Sequence, residues 1–141
     1  MSIPTYEIYC DGSCLVGSPN PGAGGWAFWH KDMIVSGNQR DTNSIRMELT
    51  AVVRALFHVQ RPAKLTIYTD LKQIVDFGVA LENNSYDGMK PRYNQDLWAL
   101  LAKRAMFHAV DWQWVRGHSD NVIHNLVDEA ARLKARELYG V

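Results

Sequence analysis

The sequence predicts an α/β domain built on a five-stranded mixed sheet, three strands antiparallel and two parallel, flanked by helices. Three observations carry that expectation. Strand-like alternation comes first and in succession, helical spacing of apolar residues begins only after Asn43, and from there strands and helices alternate. Strands joined by short turns pair antiparallel, whereas helical crossovers return the chain parallel to its earlier strands. The 141 residues suit a single domain over 1–141, and 47% hydrophobic residues with five Trp supply a core without disulfide or zinc support.

From Thr5 to Cys10 the chain alternates, with Tyr6, Ile8 and Cys10 on one face and Glu7, Tyr9 and Asp11 on the other. The Gly12-Ser13 that follows ends this strand and leaves Asp11 at its C-terminal end. A Gly- and Pro-rich loop over Val16 to Gly25 leads to strands at Trp26–His30 and Met33–Asn38, joined by a tight turn at Lys31-Asp32. Thr42, Asn43 and Ser44 offer capping side chains for a helix over Ile45–Val59, in which Leu49, Val52, Val53 and Leu56 recur at helical spacing. Lys64–Thr69 is a short β-branched and aromatic strand that ends at Asp70, and Leu71–Leu81 resumes a helical pattern. Glu82 to Asn94 is polar, contains Gly88 and Pro91, and reads as a loop before a helix over Asp96–Ala109. Val110–Val115 alternates, with Val110, Trp112 and Trp114 on one face. Ser119 or Asp120 then caps a last helix, Asn121–Leu138, whose Leu126, Ala130 and Leu133 face inward.

Composition narrows the function. Fifteen Lys plus Arg balance fifteen Asp plus Glu, so no global basic field advertises a nucleic-acid binder and any such contact must use local patches. Cys10 and Cys14 flank a Gly-Ser turn at a spacing that is neither a Cys-x-x-Cys motif nor a disulfide framework, and two reduced thiols are expected. The N-terminal residues lack a basic and apolar leader, and no apolar run reaches the ~20 residues of a membrane helix. A cytoplasmic, monomeric protein with no membrane partner is expected.

Four carboxylates stand out by position: Asp11 and Asp70 at strand ends, Glu48 early in a helix, and Asp128 in the last helix. Loops at the C-terminal ends of strands converge on a crevice in open α/β sheets. Four acids aimed at one crevice would repel one another unless divalent cations neutralised them. Hard carboxylate oxygens suit Mg²⁺ or Mn²⁺, and a pair of such ions about 3.5–4 Å apart is the clamp that hydrolyses phosphodiesters.

Tyr9-Cys-Asp-Gly-Ser-Cys-Leu15, Asn20-Pro-Gly-Ala-Gly-Gly-Trp-Ala27, Arg46-Met-Glu-Leu49, Tyr68-Thr-Asp70, Asp96-Leu-Trp98, Trp112-x-Trp-Val-Arg-Gly-His118 and Asp128-Glu-Ala-Ala131 follow one another along nearly the whole chain. In this order they resemble the successive signatures of type 1 ribonuclease H. The resemblance implies an endonuclease that cuts the RNA strand of an RNA/DNA hybrid and leaves 5′-phosphate and 3′-hydroxyl ends. It implies that Asp11, Glu48, Asp70 and Asp128 hold two Mg²⁺ or Mn²⁺ ions with substrate, and that His118 is a loop histidine assisting proton transfer. Asn20, Asn43, Ser44, Glu48 and the main chain at Gly12 and Ser13 would face the 2′-hydroxyls in the minor groove.

The chain departs from the resembled pattern at several places. Val16-Gly17-Ser18-Pro19 lengthens the turn before Asn20, and Ser44 and Ile45 stand where the pattern carries a second Asn before the helical Arg-x-Glu. Lys72 replaces a usual Gln and is expected to contact phosphate. His124 stands where Asn is usual, with two readings: contact with Asp128 or its metal water, or a surface histidine. Where longer relatives carry a basic helical protrusion, Glu82 to Asn94 has only Lys90 and Arg92, which predicts weaker hybrid binding through a smaller patch with Lys103 and Arg104. Competing readings keep the fold and change the activity: an exonuclease or DNA-strand nuclease, or a non-catalytic hybrid-binding module. The first would carry Asp-x-Glu on its opening strand and the second would have lost a ligand. Here Asp11 is followed by Gly12-Ser13, and all four acids are present.

Overall fold

A computed structural model describes residues 3–15, 22–83, 91–117 and 120–138. Three strands come first: β1 (Thr5–Cys14), β2 (Gly22–His30) and β3 (Met33–Thr42). Helix α1 (Ser44–His58), strand β4 (Lys64–Thr69) and helices α2 (Lys72–Glu82) and α3 (Gln95–Ala105) follow, then β5 (Ala109–Trp114) and α4 (Val122–Glu137). The sheet has the order β3-β2-β1-β4-β5. β1 pairs antiparallel with β2, and β2 with β3; β1 runs parallel to β4, and β4 to β5. The mixed sheet predicted from the alternation of elements is the sheet observed. Lys31 and Asp32 form its first hairpin turn, both at positive φ (53° and 62°), the backbone twist that a two-residue hairpin requires.

The two faces of the sheet are covered differently. On one, Ile8, Cys10 and Phe28 meet Met47, Leu49, Val52 and Leu56 of α1 together with Ile74 of α2 and Leu101 of α3, all almost fully buried. On the other, α4 lies alone over Tyr9 and Ala27, contributing Val127 and Ala131. Odd-numbered positions of β1 therefore point toward α4 and even-numbered ones toward α1. Helix α3 is tied to the start of α1 by Arg46, whose guanidinium grips Asp96 at 2.7 and 3.1 Å and reaches Oδ1 of Asn94 at 3.2 Å. At the half-exposed setting of this pair it contributes no more than about 1 kcal/mol, so its effect is to fix orientation.

Several sequence expectations need correction. Asp11-Gly12-Ser13 does not end β1; the strand continues to Cys14 because Gly24 and Gly25, read as loop, pair opposite Cys14 and Ser13. β3 likewise runs past Asn38 to Thr42. Helix α3 stops at Ala105, since Ala109 already hydrogen-bonds to Ala63 and opens β5. In β5 only Trp112 is buried; Trp114 is 51% exposed, and its indole N–H donates to the Asp70 carbonyl at 3.2 Å. Helix α4 is capped by Asn121, whose side chain accepts the His124 N–H at 2.8 Å, and not by Ser119 or Asp120. That cap sets which residues face the sheet: His124, Val127, Ala131 and Ala135 are buried, whereas Leu126 and Leu133 are about half exposed. Arg104 does not join a free basic patch, because it donates to the Leu56 and Val59 carbonyls and stacks on Phe107. Among the described residues, no helix is long and apolar enough to cross a membrane.

Candidate active site

The parallel ladder between β1 and β4 ends at the pair Tyr9 and Tyr68, while β1 stays paired with β2 through Asp11 and beyond. Past that point β1 and β4 have no shared ladder, and a notch opens between Asp11 on β1 and Asp70 just after β4. Asp11 is an odd-numbered position, so it points to the α4 side, where Asp128 and His124 approach it. Gly12 points to the α1 side, where a Cβ would strike the backbone of Met47 and Glu48. The absent side chain lets α1 press onto β1 and carries Glu48 to the same notch.

One backbone donor serves two acids there. The Gly12 N–H meets Asp11 Oδ1 at 2.9 Å and Glu48 Oε1 at 2.8 Å. Asp11 is 1% exposed and Glu48 7% exposed, and their remaining oxygens, Asp11 Oδ2 and Glu48 Oε2, have no hydrogen-bond partner among the described residues. Asp70 and Asp128 are more open, with side chains 28% and 30% exposed. Arg132 holds Asp128 Oδ2 at 3.2 Å from one turn further along α4. Leu71 N–H donates to Thr69 Oγ1 at 3.2 Å, a turn that leads the chain out of β4 beside Asp70.

Burial, followed by the nearby Asp70 and Asp128, pushes the Asp11 carboxyl up to about 7, against the neighbouring Glu48 carboxyl, which lowers it. Glu48 lies well above the usual carboxylate range, first through burial and then through Asp11 and Asp70. Without a cation the buried pair therefore holds a proton more tightly than free carboxyls do. Unpartnered carboxylate oxygens that resist ionisation in one another's company are the electrostatic signature of a site built for divalent cations. The donor set is hard and oxygen-rich, which fits Mg²⁺ or Mn²⁺.

Sequence reasoning left His124 between a contact at the metal site and a surface position. It is 2% exposed, not a surface histidine, and it faces Asp11 and Asp70, with Nε2 at 3.8 Å and 4.0 Å from their Oδ2 atoms. One ligand atom from each of Asp11, Asp70 and His124 lies within 4.8 Å of the others. Of the residues expected to meet substrate, Gly12 and Ser13 lie in β1, and Asn43 spends its side chain capping α1 by accepting the Arg46 N–H at 2.9 Å. Ser44 and Lys72 are the exposed first residues of α1 and α2, and Arg92 is exposed ahead of α3. Asn20, Lys90 and His118 lie outside the described residues.

The family model described as RNase H matches residues 4–136. The chain belongs to the RNase H family. Among its RNase H relatives, the ribonuclease H of Methylobacillus flagellatus is 37% identical, over 99% of this chain and 97% of its own length. That of Pelobacter propionicus is 35% identical, over 95% of this chain and 86% of its own. The crystal structure of a type 1 RNase H with the type 2 active-site motif superposes with a TM-score of 0.80 at 25% identity, covering 97% of this chain and 74% of that one. A foamy viral protease-reverse transcriptase in complex with RNA/DNA hybrid shares the fold at TM-score 0.74 and 18% identity, over 96% of this chain and 20% of that one. Membership in the RNase H family makes the chain a metal-dependent nuclease.

Proposed function

We propose that this single-domain chain is an endoribonuclease that hydrolyses the RNA strand of RNA/DNA hybrids, leaving 5′-phosphate and 3′-hydroxyl ends, and that it acts as a cytoplasmic monomer. The observation that carries the reading is the convergence of Asp11, Glu48 and Asp70 on one notch, with buried oxygens that have no protein partner, in a chain of the RNase H family. Asp11, Glu48, Asp70 and Asp128 would hold two Mg²⁺ or Mn²⁺ ions. Bound there, divalent cations supply Lewis acidity for the attack of water on phosphorus and for the departure of the 3′ oxygen.

The chain's own residues do the positioning. The Gly12 N–H fixes the near oxygens of Asp11 and Glu48, so their far oxygens are aimed together before substrate arrives, and no reorganisation is required at the moment of reaction. Burial of Asp11 and Glu48 excludes water from one side of the notch, which strengthens every charge interaction across it. Asp70 and Asp128 leave the outer side open to a scissile phosphate. His118, which precedes α4 in the sequence, is assigned the proton relay at the water or the leaving oxygen, a task suited to an imidazole near neutral pH. Main chain at Gly12 and Ser13, with Asn20, Asn43 and Ser44, would read the 2′-hydroxyls that distinguish RNA from DNA. Lys72, Lys90 and Arg92 would meet phosphates.

The test is cleavage of an end-labelled RNA/DNA hybrid with Mg²⁺ or Mn²⁺, beside single-stranded RNA, duplex RNA and duplex DNA, by the wild type and Asp70→Asn. Internal cuts confined to the hybrid's RNA strand and lost in the variant are expected. Hybrid binding without cleavage by either protein would refute the reading. A separate expectation concerns Lys72, exposed beside Asp70. Lys72→Ala should weaken binding equally across hybrid sequences and reduce the slope of log affinity against log salt by about 1, as measured by fluorescence anisotropy.

A further inference from the structure

Helix α4 delivers to the notch a group that is neither acidic nor satisfied. His124 is 2% exposed, and neither Nδ1 nor Nε2 has a hydrogen-bond partner among the described residues. Buried polar atoms are almost always paired, so two orphaned nitrogens on one ring call for an explanation. His108 shows how this fold treats a histidine that is only structural: its Nδ1 accepts the Ala63 N–H at 3.2 Å and its Nε2 lies 3.0 Å from the Leu56 carbonyl. His124 has no such partners, although its position is firmly set, because Asn121 caps α4 through the His124 N–H itself.

The distances suggest what is to lie beside it. Nε2 stands 3.8 Å from Asp11 Oδ2 and 4.0 Å from Asp70 Oδ2, too far for hydrogen bonds. Two metal–ligand bonds of ~2.0–2.2 Å span a gap of up to ~4.4 Å, so a single ion can reach a nitrogen and an oxygen at such separations. The Asp11 oxygen concerned is the one left without a partner. Three separate elements, β1, the end of β4 and α4, thus bring one oxygen, one oxygen and one nitrogen within 4.8 Å of one another.

We propose that His124 is a nitrogen ligand of the divalent cation held by Asp11 and Asp70, and that it biases this site toward transition ions of the Mn²⁺ class over Mg²⁺. The inference rests on the reading of the notch as a metal site. Mg²⁺ takes oxygen ligands almost exclusively and sheds water reluctantly, whereas imidazole is a good ligand for first-row transition ions. Replacing one oxygen donor by nitrogen raises affinity for the latter without comparable gain for Mg²⁺.

The experiment is pulsed electron paramagnetic resonance of Mn²⁺ bound to the full chain, read for ¹⁴N modulation, with calorimetric titration of Mn²⁺ and Mg²⁺ alongside. His124→Asn and His124→Gln are compared, each checked for native near-ultraviolet circular dichroism, and His118→Ala separates the other imidazole nearest in sequence. The wild type and His118→Ala should show the nitrogen modulation and both His124 variants should lose it. The ratio of Mn²⁺ to Mg²⁺ affinity should fall by about tenfold in the His124 variants. Mn²⁺ bound by the wild type without nitrogen modulation, or modulation persisting in both His124 variants, overturns the ligand assignment and leaves the carboxylate site standing. Failure of the wild type to bind Mn²⁺ at all overturns both.

Discussion

Asp11→Asn is expected to stabilise the metal-free protein while abolishing cleavage. Asp11 is 1% exposed and its carboxyl is pushed from the ordinary 3.8 to about 7, first by burial and then by Asp70 and Asp128. A carboxyl with a raised folded pKa binds its proton more tightly in the native state than in the unfolded one. Metal-free stability is therefore greatest below about pH 4, falls as pH rises toward about 7, and levels off above it. The full displacement sets a ceiling of about 4 kcal/mol, and because Glu48 shares the proton a loss of about 1–3 kcal/mol is expected. An amide at this position removes the buried charge, so the variant's melting temperature at pH 8 without metal should exceed the wild type's by roughly 3–10 °C. Millimolar Mn²⁺ or Mg²⁺ should close most of that gap by stabilising the wild type alone. Differential scanning calorimetry across pH 4 to 8 with chelator and with metal reads all of these effects; equal melting temperatures with chelator would refute the electrostatic account.

The second large effect is expected at a position with no side chain. In Gly12→Ala the new methyl would lie within the backbone of Met47 and Glu48, and backbone cannot turn aside as a flexible side chain does. α1 must retreat from β1, which costs about 1–3 kcal/mol as overpacking. The same retreat draws Glu48 away from the Gly12 N–H it shares with Asp11. A displacement on the order of 1 Å suffices for a loss of about 100-fold in the chemical step. Urea unfolding and single-turnover cleavage should both register the change, whereas Ser13→Ala on the opposite face of the strand should register little in the first. A Gly12→Ala protein with wild-type turnover would show that the close approach of α1 is not what sets Glu48.

How much of this could be read in advance depended on what each segment's pattern encodes. β1 announced itself by alternation and β4 by its β-branched and aromatic run, and with them came the acids at Asp11 and Asp70. The reach of β1 did not, because Asp11-Gly12-Ser13 has turn composition and becomes strand only when Gly24 and Gly25 of β2 pair with it. Glu48 was legible as a helical acid, but its meeting with Asp11 depends on a tertiary contact at Gly12 that no local pattern contains. In α4 the inner face was misjudged for a physical reason. Choosing the most apolar residues selects Leu126 and Leu133, yet Gly25 brings β2 against the backbone at Ala131 and Ala135, so the buried stripe is made of small residues with His124 at its head. A polar residue leading a stripe of small residues carries a weak hydrophobic signal, and for the same reason the surface reading of His124 stood beside the reading that placed it at the site.

The seating of α4 against Gly25 also bears on when the nuclease capacity arises. The helix contributes Asp128 and His124, while Asp11 comes from the first strand, so the full donor set joins segments far apart in the sequence. Contacts of that range form only once the loop-closure entropy of the intervening chain has been overcome. Cation binding by the complete set therefore requires α4 to be docked on the sheet. The same dependence runs in reverse: detachment of α4 would carry Asp128 and His124 away from Asp11 and Asp70 and dismantle the site.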